Sequence, residues 1–239
     1  MKLKKKSMQL PKSKVKASRK SPKNMIIYGP PKIGKTTMLS KLDNCLIIDL
    51  EDGSDMVDAL KVKANSLDEL TEIGKAIMKD GRPYKYVAID TISKLEEWCE
   101  VEAKELYMKT PMGKNFNQKY PGMSVLSLPN GGGYLYLRIA FKKWIDKLNK
   151  LADHVILVGH LKDKVLDKKG QEVVVKDLDL TGKLKQITCA GSDAIGYISR
   201  EENETIISFD SLQDVTGGTR CPHLQGKTMP LDWSQIFID

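Results

Sequence analysis

Met25-Ile26-Ile27-Tyr28-Gly29-Pro30-Pro31-Lys32-Ile33-Gly34-Lys35-Thr36-Thr37 decides how the whole chain is read. An apolar run from Met25 to Tyr28 predicts a short buried strand. Gly29, four residues and Gly34-Lys35-Thr36 then form the G-x-x-x-x-G-K-[ST] phosphate loop, in the setting that gives the motif its meaning: a strand before it and a helix after it. The spacing follows from the ligand. A triphosphate needs several donors converging on its oxygens, and a loop curled in front of a helix aims successive backbone N–H groups inward while the helix adds the positive end of its dipole. Gly29 and Gly34 allow the turn and the close approach. Backbone from Pro30, Pro31, Lys32, Ile33 and Thr37 completes the cradle. Lys35 is placed for the β- and γ-phosphates and the Thr36 hydroxyl for Mg²⁺.

The rest of the 239 residues bounds this reading. The length suits one large α/β domain. No apolar run approaches the ~18 residues of a membrane span, and the basic N-terminus has no apolar core of the kind a secretory signal carries. Cys45, Cys99, Cys189 and Cys221 lack C-x-x-C spacing, which predicts reduced thiols in a cytoplasmic protein. Cys221-Pro222-His223 offers half a metal site with no second half. The charge is uneven: 10 of the 39 Lys and Arg fall within residues 1–24, which contain no acid, leaving 29 basic against 31 acidic residues in the body. Residues 1–24 therefore read as a disordered basic tail, and 25–239 as the domain. Such an arm either contacts nucleic acid, by displacing counterions from phosphates, or is a solvated extension.

Along the body, strands are predicted at 25–28, 45–50, 86–90, 155–160, 194–199 and 204–209. Helices are predicted over 35–42, 66–79 (with Ser66 and Glu69 as a capping box), 93–108 and 134–151. Residues 109–133 have no clear periodicity and read as a long functional or mobile loop. Residues 161–180 read as a charged hairpin or loop turning at Lys168-Lys169-Gly170, and the stretch from Asp210 as irregular. Continuous apolar strands alternating with helices predict a mostly parallel sheet covered on both faces, extended by a C-terminal antiparallel hairpin.

Three polar groups end predicted strands. Asp90, after four apolar residues, matches a Walker B aspartate that holds Mg²⁺, on the strand expected beside the loop. Glu51 follows the second strand and is placed to polarise a water for attack on the γ-phosphate. Asp49, two residues earlier and on the same side by alternation, is the alternative carboxylate at this edge, read as a metal-proximal acid. His160 ends the strand at 155–160, either sensing the γ-phosphate or making a structural hydrogen bond.

Taken in order, these pieces resemble the RecA-type ATPases. Cys45–Gly53 resembles their second strand, where a catalytic glutamate follows an I-D-x-E run. Tyr86–Thr91 looks like their Walker B, and Val155–His160 like their switch strand, with His160 where recombinases usually carry Gln. The layout is most similar to small, core-only phage RecA-like ATPases of single-strand annealing and recombination, over residues 24–237. The resemblance implies ATP and Mg²⁺ held between neighbouring subunits of a ring or filament. A basic finger would come from the neighbour: Arg220, with Lys183 and Lys185 as rivals. It implies single-stranded DNA as partner, along 109–133 (Lys109, Lys114, Asn115, Phe116, Lys119, Tyr120, Tyr134) and 161–182 (Lys162, Lys164, Lys168, Lys169), where cations and aromatics meet phosphates and bases. A phage single-strand-binding protein is a further candidate partner, and host cytoplasm the implied location. No N-terminal globular domain or C-terminal regulatory domain is recognisable, so annealing or simple binding is expected before strand exchange. A RecA-fold helicase or translocase motor, and a nucleotide-gated loader protein, remain open alternatives.

Overall fold

Alternation within each apolar run dictates the architecture. The computed structural model describes residues 10–168, 171–211 and 215–238. The chain runs β1 (Asn24–Gly29), α1 (Lys35–Ser40), β2 (Cys45–Asp49), β3 (Lys61–Lys63), α2 (Leu67–Lys79), β4 (Tyr86–Asp90), α3 (Ile92–Met108), α4 (Phe116–Lys119), α5 (Gly132–Leu148), β5 (His154–Lys168), β6 (Gln171–Leu178), α6 (Lys183–Gly191), β7 (Ala194–Glu201), β8 (Glu204–Ser208), β9 (Gly218–Thr219), β10 (Thr228–Pro230) and α7 (Trp233–Ile236). The sheet order is β10-β8-β7-β1-β5-β4-β2-β3, with β6 on β5 and β9 on β7.

Successive strand residues point to opposite faces, and both faces are covered. Ile26, Tyr28, Ile48, Ile89, Val155 and Leu157 pack with Leu70, Leu95, Phe141 and Trp144 from α2, α3 and α5. Met25, Ile27, Ile47, Ala88, Ile156 and Val158 pack with Met38 and Leu39 of α1 and with Leu224, Trp233 and Phe237. The expected α/β layers are therefore present. β7, the first strand of the expected hairpin, is itself parallel to β1. The antiparallel part of the sheet begins with β8, which returns along β7, and continues with β10 on β8. β5 lies between β1 and β4, so the Asp90 strand is one place further from the loop than the sequence predicts.

Several elements differ from expectation for local reasons. Ser66 caps α2 by accepting from the Glu69 N–H, but Glu69 reaches back to Asn65 N–H at 2.8 Å instead of closing a capping box on Ser66. Strand β3 and helix α6 are too short for their periodicity to stand out in the sequence. The stretch from Asp210 is held by packing: Trp233 Nε1–H donates to Met38 O at 2.8 Å, beneath α1. Residues 109–133 form α4 and two short 3₁₀ turns. They are anchored by buried Phe116 and Val125, with Phe116 edge-on to Tyr107. Phe116 is thereby withdrawn from base stacking, while Tyr120 is 45% exposed. The hairpin at 161–180 is real and regular, β5 continuing into it without a break. Lys169 and Gly170 lie outside the described residues.

At the start, residues 10–20 carry no helix or strand and are exposed, whereas Ser21 and Pro22 are buried. Ile238 N–H donates to Ser21 Oγ at 2.9 Å, and the buried His154 ring meets Pro22 O through Nδ1 at 2.7 Å. No disulfide joins the four cysteines. Burial raises the Cys45 thiol to about 12 and the Cys189 thiol to about 11, which leaves both protonated and unreactive. His223 Nε2 meets Ile236 O at 3.0 Å, a structural contact. No acid, histidine or cysteine cluster among the described residues could hold a metal by itself, and no helix among them is long and apolar enough to cross a membrane.

Candidate nucleotide site

The carboxyl ends of the parallel strands bring the predicted groups to one edge. Gly29 is level with His160 on β5, and Asp49 with Asp90 on β4. Gly29 is required by its neighbour: a Cβ there would lie 2.5 Å from Ile198 O. Lys32 and Gly34 both have positive φ, 61° and 95°, as the loop curls before α1.

Lys35 is buried, and its ammonium donates to Gly29 O at 3.1 Å and Pro30 O at 2.9 Å, inside its own loop. Burial lowers its pKa, an effect opposed by the charges of Asp90 and Glu51. Thr36 Oγ1–H donates to Asp90 Oδ2 at 2.7 Å, so the two predicted Mg²⁺ ligands converge even though β5 lies between β1 and β4. Asp90 is 8% exposed. Burial pushes its pKa up; the Thr36 hydroxyl and Lys35 lower it, while Asp49 and Glu51 raise it. A buried carboxylate with two acidic neighbours and one hydroxyl beside it has the donor chemistry of a hard-cation site. These donors suit Mg²⁺, which Thr36 and Asp90 would hold, and the N–H groups of the loop would hold the phosphates of a nucleotide.

Asp49 is not a second metal acid. Strand β2 ends there, and its buried carboxylate accepts from the backbone N–H groups of Glu51 (2.9 Å), Gly53 (3.3 Å) and Ser54 (2.8 Å). Burial alone would raise its pKa, but hydrogen bonding from Ser54, side chain and backbone, and from the backbone of Glu51 and Gly53 outweighs burial and holds it below the usual carboxylate range. Asp49 thus builds the turn that presents Glu51. The Glu51 carboxylate is held on two sides. Thr91 Oγ1–H donates to Oε1 at 2.6 Å, and His160 Nε2 lies 3.0 Å from Oε2 and 3.2 Å from Oε1. Because an ionised carboxylate only accepts, the imidazole Nε2–H is the donor. Thr91 closes the Walker B stretch read from the sequence, where it has no role of its own. Its only sequence signal is its position, directly after Asp90 and at the start of a predicted helix.

The basic candidates lie elsewhere. Arg220 sits beside the amino end of β7, on the opposite sheet edge from the loop, and donates to Ala190 O at 2.5 Å and Asp193 Oδ1 at 3.5 Å. Asp193 also accepts from the N–H groups of Lys23 and Asn24. In its own chain Arg220 therefore fastens the entry to β1 and is not brought to the site. Lys185 is paired with Asp177, and Lys183 is exposed at the start of α6.

A family model described as an AAA domain matches residues 21–221. No curated protein matches the chain. Among solved structures, that of the RadB recombinase is similar at 11% identity over 90% of each chain, with a TM-score of 0.43. The family match spans the phosphate loop, Glu51, Asp90 and His160, and with it the chain belongs to the AAA domain family, as a P-loop ATPase domain.

Proposed function

We propose that the protein is an Mg²⁺-dependent, single-stranded-DNA-binding ATPase of phage recombination or single-strand annealing. The observation that carries this reading is the double hold on Glu51, because His160, one of its two partners, stands where β5 leaves the sheet and enters the β5–β6 arm. Within the site, Lys35 and the loop N–H groups bind the phosphates, and Thr36 and Asp90 hold Mg²⁺. Bound there, Mg²⁺ supplies charge neutralisation across the phosphate oxygens. Glu51 orients a water and takes its proton as attack proceeds in line. His160 passes any shift of the Glu51 carboxylate to the arm, whose sequence brings Lys162, Lys164 and Lys168. Lys109, Lys114, Lys119 and Tyr120 are exposed on 109–133 and supply cations and a stacking ring. Subunits stacking head to tail would place Arg220, on the far edge, towards a neighbour's phosphates; for that role it must release Ala190 and Asp193.

The test measures ATP hydrolysis with and without single-stranded DNA, and retention on that DNA at low salt with ATP. Stimulation by DNA together with retention is expected. A rate that ignores DNA and a protein that is not retained would sink the DNA role and leave an ATPase working through a protein partner. Removing residues 1–20, which spares the buried Ser21 and Pro22, is expected to weaken DNA binding. It should also flatten the dependence of log affinity on log salt, by about 0.7 for each phosphate that the tail no longer neutralises. An unchanged slope would show that the tail does not touch DNA.

A further inference from the structure

We infer that Thr91 is the positioning residue of Glu51, and that it ties the carboxylate to helix α3. This inference rests on the hydrolytic reading above. Thr91 is 2% exposed, and its one hydroxyl does two jobs. It donates its hydrogen to Glu51 Oε1 at 2.6 Å, and its oxygen accepts the Lys94 N–H at 3.4 Å as the cap of α3. A hydroxyl has one hydrogen and two lone pairs, so both bonds coexist. A mere cap needs only the oxygen. The hydrogen aimed at Glu51 is what capping does not explain.

The arrangement fixes which way the general base faces. Glu51 follows a turn, and its side chain is about one-third exposed, so without a buried donor it would be free to sample several rotamers. Asp49 fixes its backbone through the N–H of Glu51, Thr91 fixes one carboxylate oxygen, and the other faces His160. Thr91 is a rigid choice, being β-branched and buried.

The first turns of α3 are in turn stitched to the end of the β5–β6 arm. Ser93 Oγ–H donates to Asp179 O at 3.1 Å, and Thr181 N–H reaches both Glu96 carboxylate oxygens at 3.1 Å. Asp179 N–H donates to His160 O at 3.0 Å. At its other end α3 runs into 109–133. The two residues that grip Glu51 therefore stand at the roots of two different elements, Thr91 at α3 and His160 at the arm. A shift in either element moves the base.

The experiment compares kcat and KM for ATP in wild type, Thr91→Ser, Thr91→Val and Thr91→Ala, with thermal melts of each and Lys35→Ala as the control. Thr91→Ser keeps donor and cap and should retain most of the rate. Thr91→Val and Thr91→Ala lose both without adding a charge, and the smaller alanine keeps the test open even if the valine variant folds poorly. Loss of the cap reads out in the melt, and loss of positioning in the rate. For Val and Ala, kcat should fall about 10- to 100-fold, the loss typical of a misplaced reacting group, with KM for ATP unchanged. A folded Ala variant that turns over at the wild-type rate, or a Ser variant as slow as Ala, overturns the assignment while the hydrolytic reading stands. If wild type shows no hydrolysis that Lys35→Ala removes, both fall together.

Discussion

Lys35→Ala is expected to reduce ATP hydrolysis to background, a loss of at least about 10²–10³-fold, as when a preorganised charge at the transition state is removed. The lysine is buried and bonded to Gly29 O and Pro30 O, so it is already inside the loop where phosphates bind. Burial depresses its pKa, and an arriving polyanion would favour the charged form and strengthen the interaction. Alanine removes that charge together with the donor to both loop carbonyls. Nucleotide affinity should weaken in parallel, read by titration with a fluorescent ATP analogue. The fold should survive, because the core residues on both sheet faces are untouched. A Lys35→Ala protein with a native melt and an undiminished rate would mean that hydrolysis happens elsewhere.

Glu51→Gln should behave differently. The amide oxygen can still accept from Thr91, and the turn built by Asp49 depends only on the Glu51 backbone. Nucleotide and Mg²⁺ binding should therefore persist. What disappears is the ability to take a proton from the attacking water, for which a loss of about 10²–10⁴-fold in kcat is expected. The informative pattern is the split: a dissociation constant for ATP close to wild type with a collapsed rate. An equal fall in both would instead make Glu51 part of the binding surface. Because Gln also carries an N–H₂ donor, the partnership with His160 Nε2 is rearranged, and any change in DNA binding by this variant reports on that pairing.

What is legible in the sequence is whatever is local. The phosphate loop, the strand-end acids and the strand–helix alternation are each set by a short run of residues, and the structure gathers them on the carboxyl edge. What is not legible depends on partners distant in sequence. The three residues of β3 become a strand only because β2 offers an edge. Helix α7 and β10 exist because Trp233 and Phe237 find α1 and the Tyr86–His154 stack. Asp49 departs from the sequence reading for a related reason. Strand alternation places it with Glu51, but the strand stops at Asp49 and the chain turns back over its carboxylate. Phe116 reads as a stacking ring beside lysines, and only its packing on Tyr107 turns it inward. Thr91 ends the Walker B stretch, but its role stays hidden because it is a hydrogen bond to a residue 40 positions earlier.

The unbroken run of β5 has a mechanical consequence. Its first half, from His154 to His160, is clamped between β1 and β4, while the remainder, from Leu161 to Lys168, is paired with β6 alone. On its β6 side the root of this arm is tied down: Lys176 O, across from Asp163, accepts from Thr216 N–H at 3.3 Å and from the Tyr28 hydroxyl at 3.4 Å. Beyond that tie, at ~3.3 Å per residue, the stretch from Lys164 to Lys168 reaches roughly 15 Å. It is a short lever whose fulcrum is the tie at Asp163, just past His160 along the strand. A tilt of about 10° there would sweep the tip through roughly 3 Å, about the rise of one strand residue. The force would also run backwards: a ligand that pins the tip would hold the imidazole, and so the carboxylate, in one place.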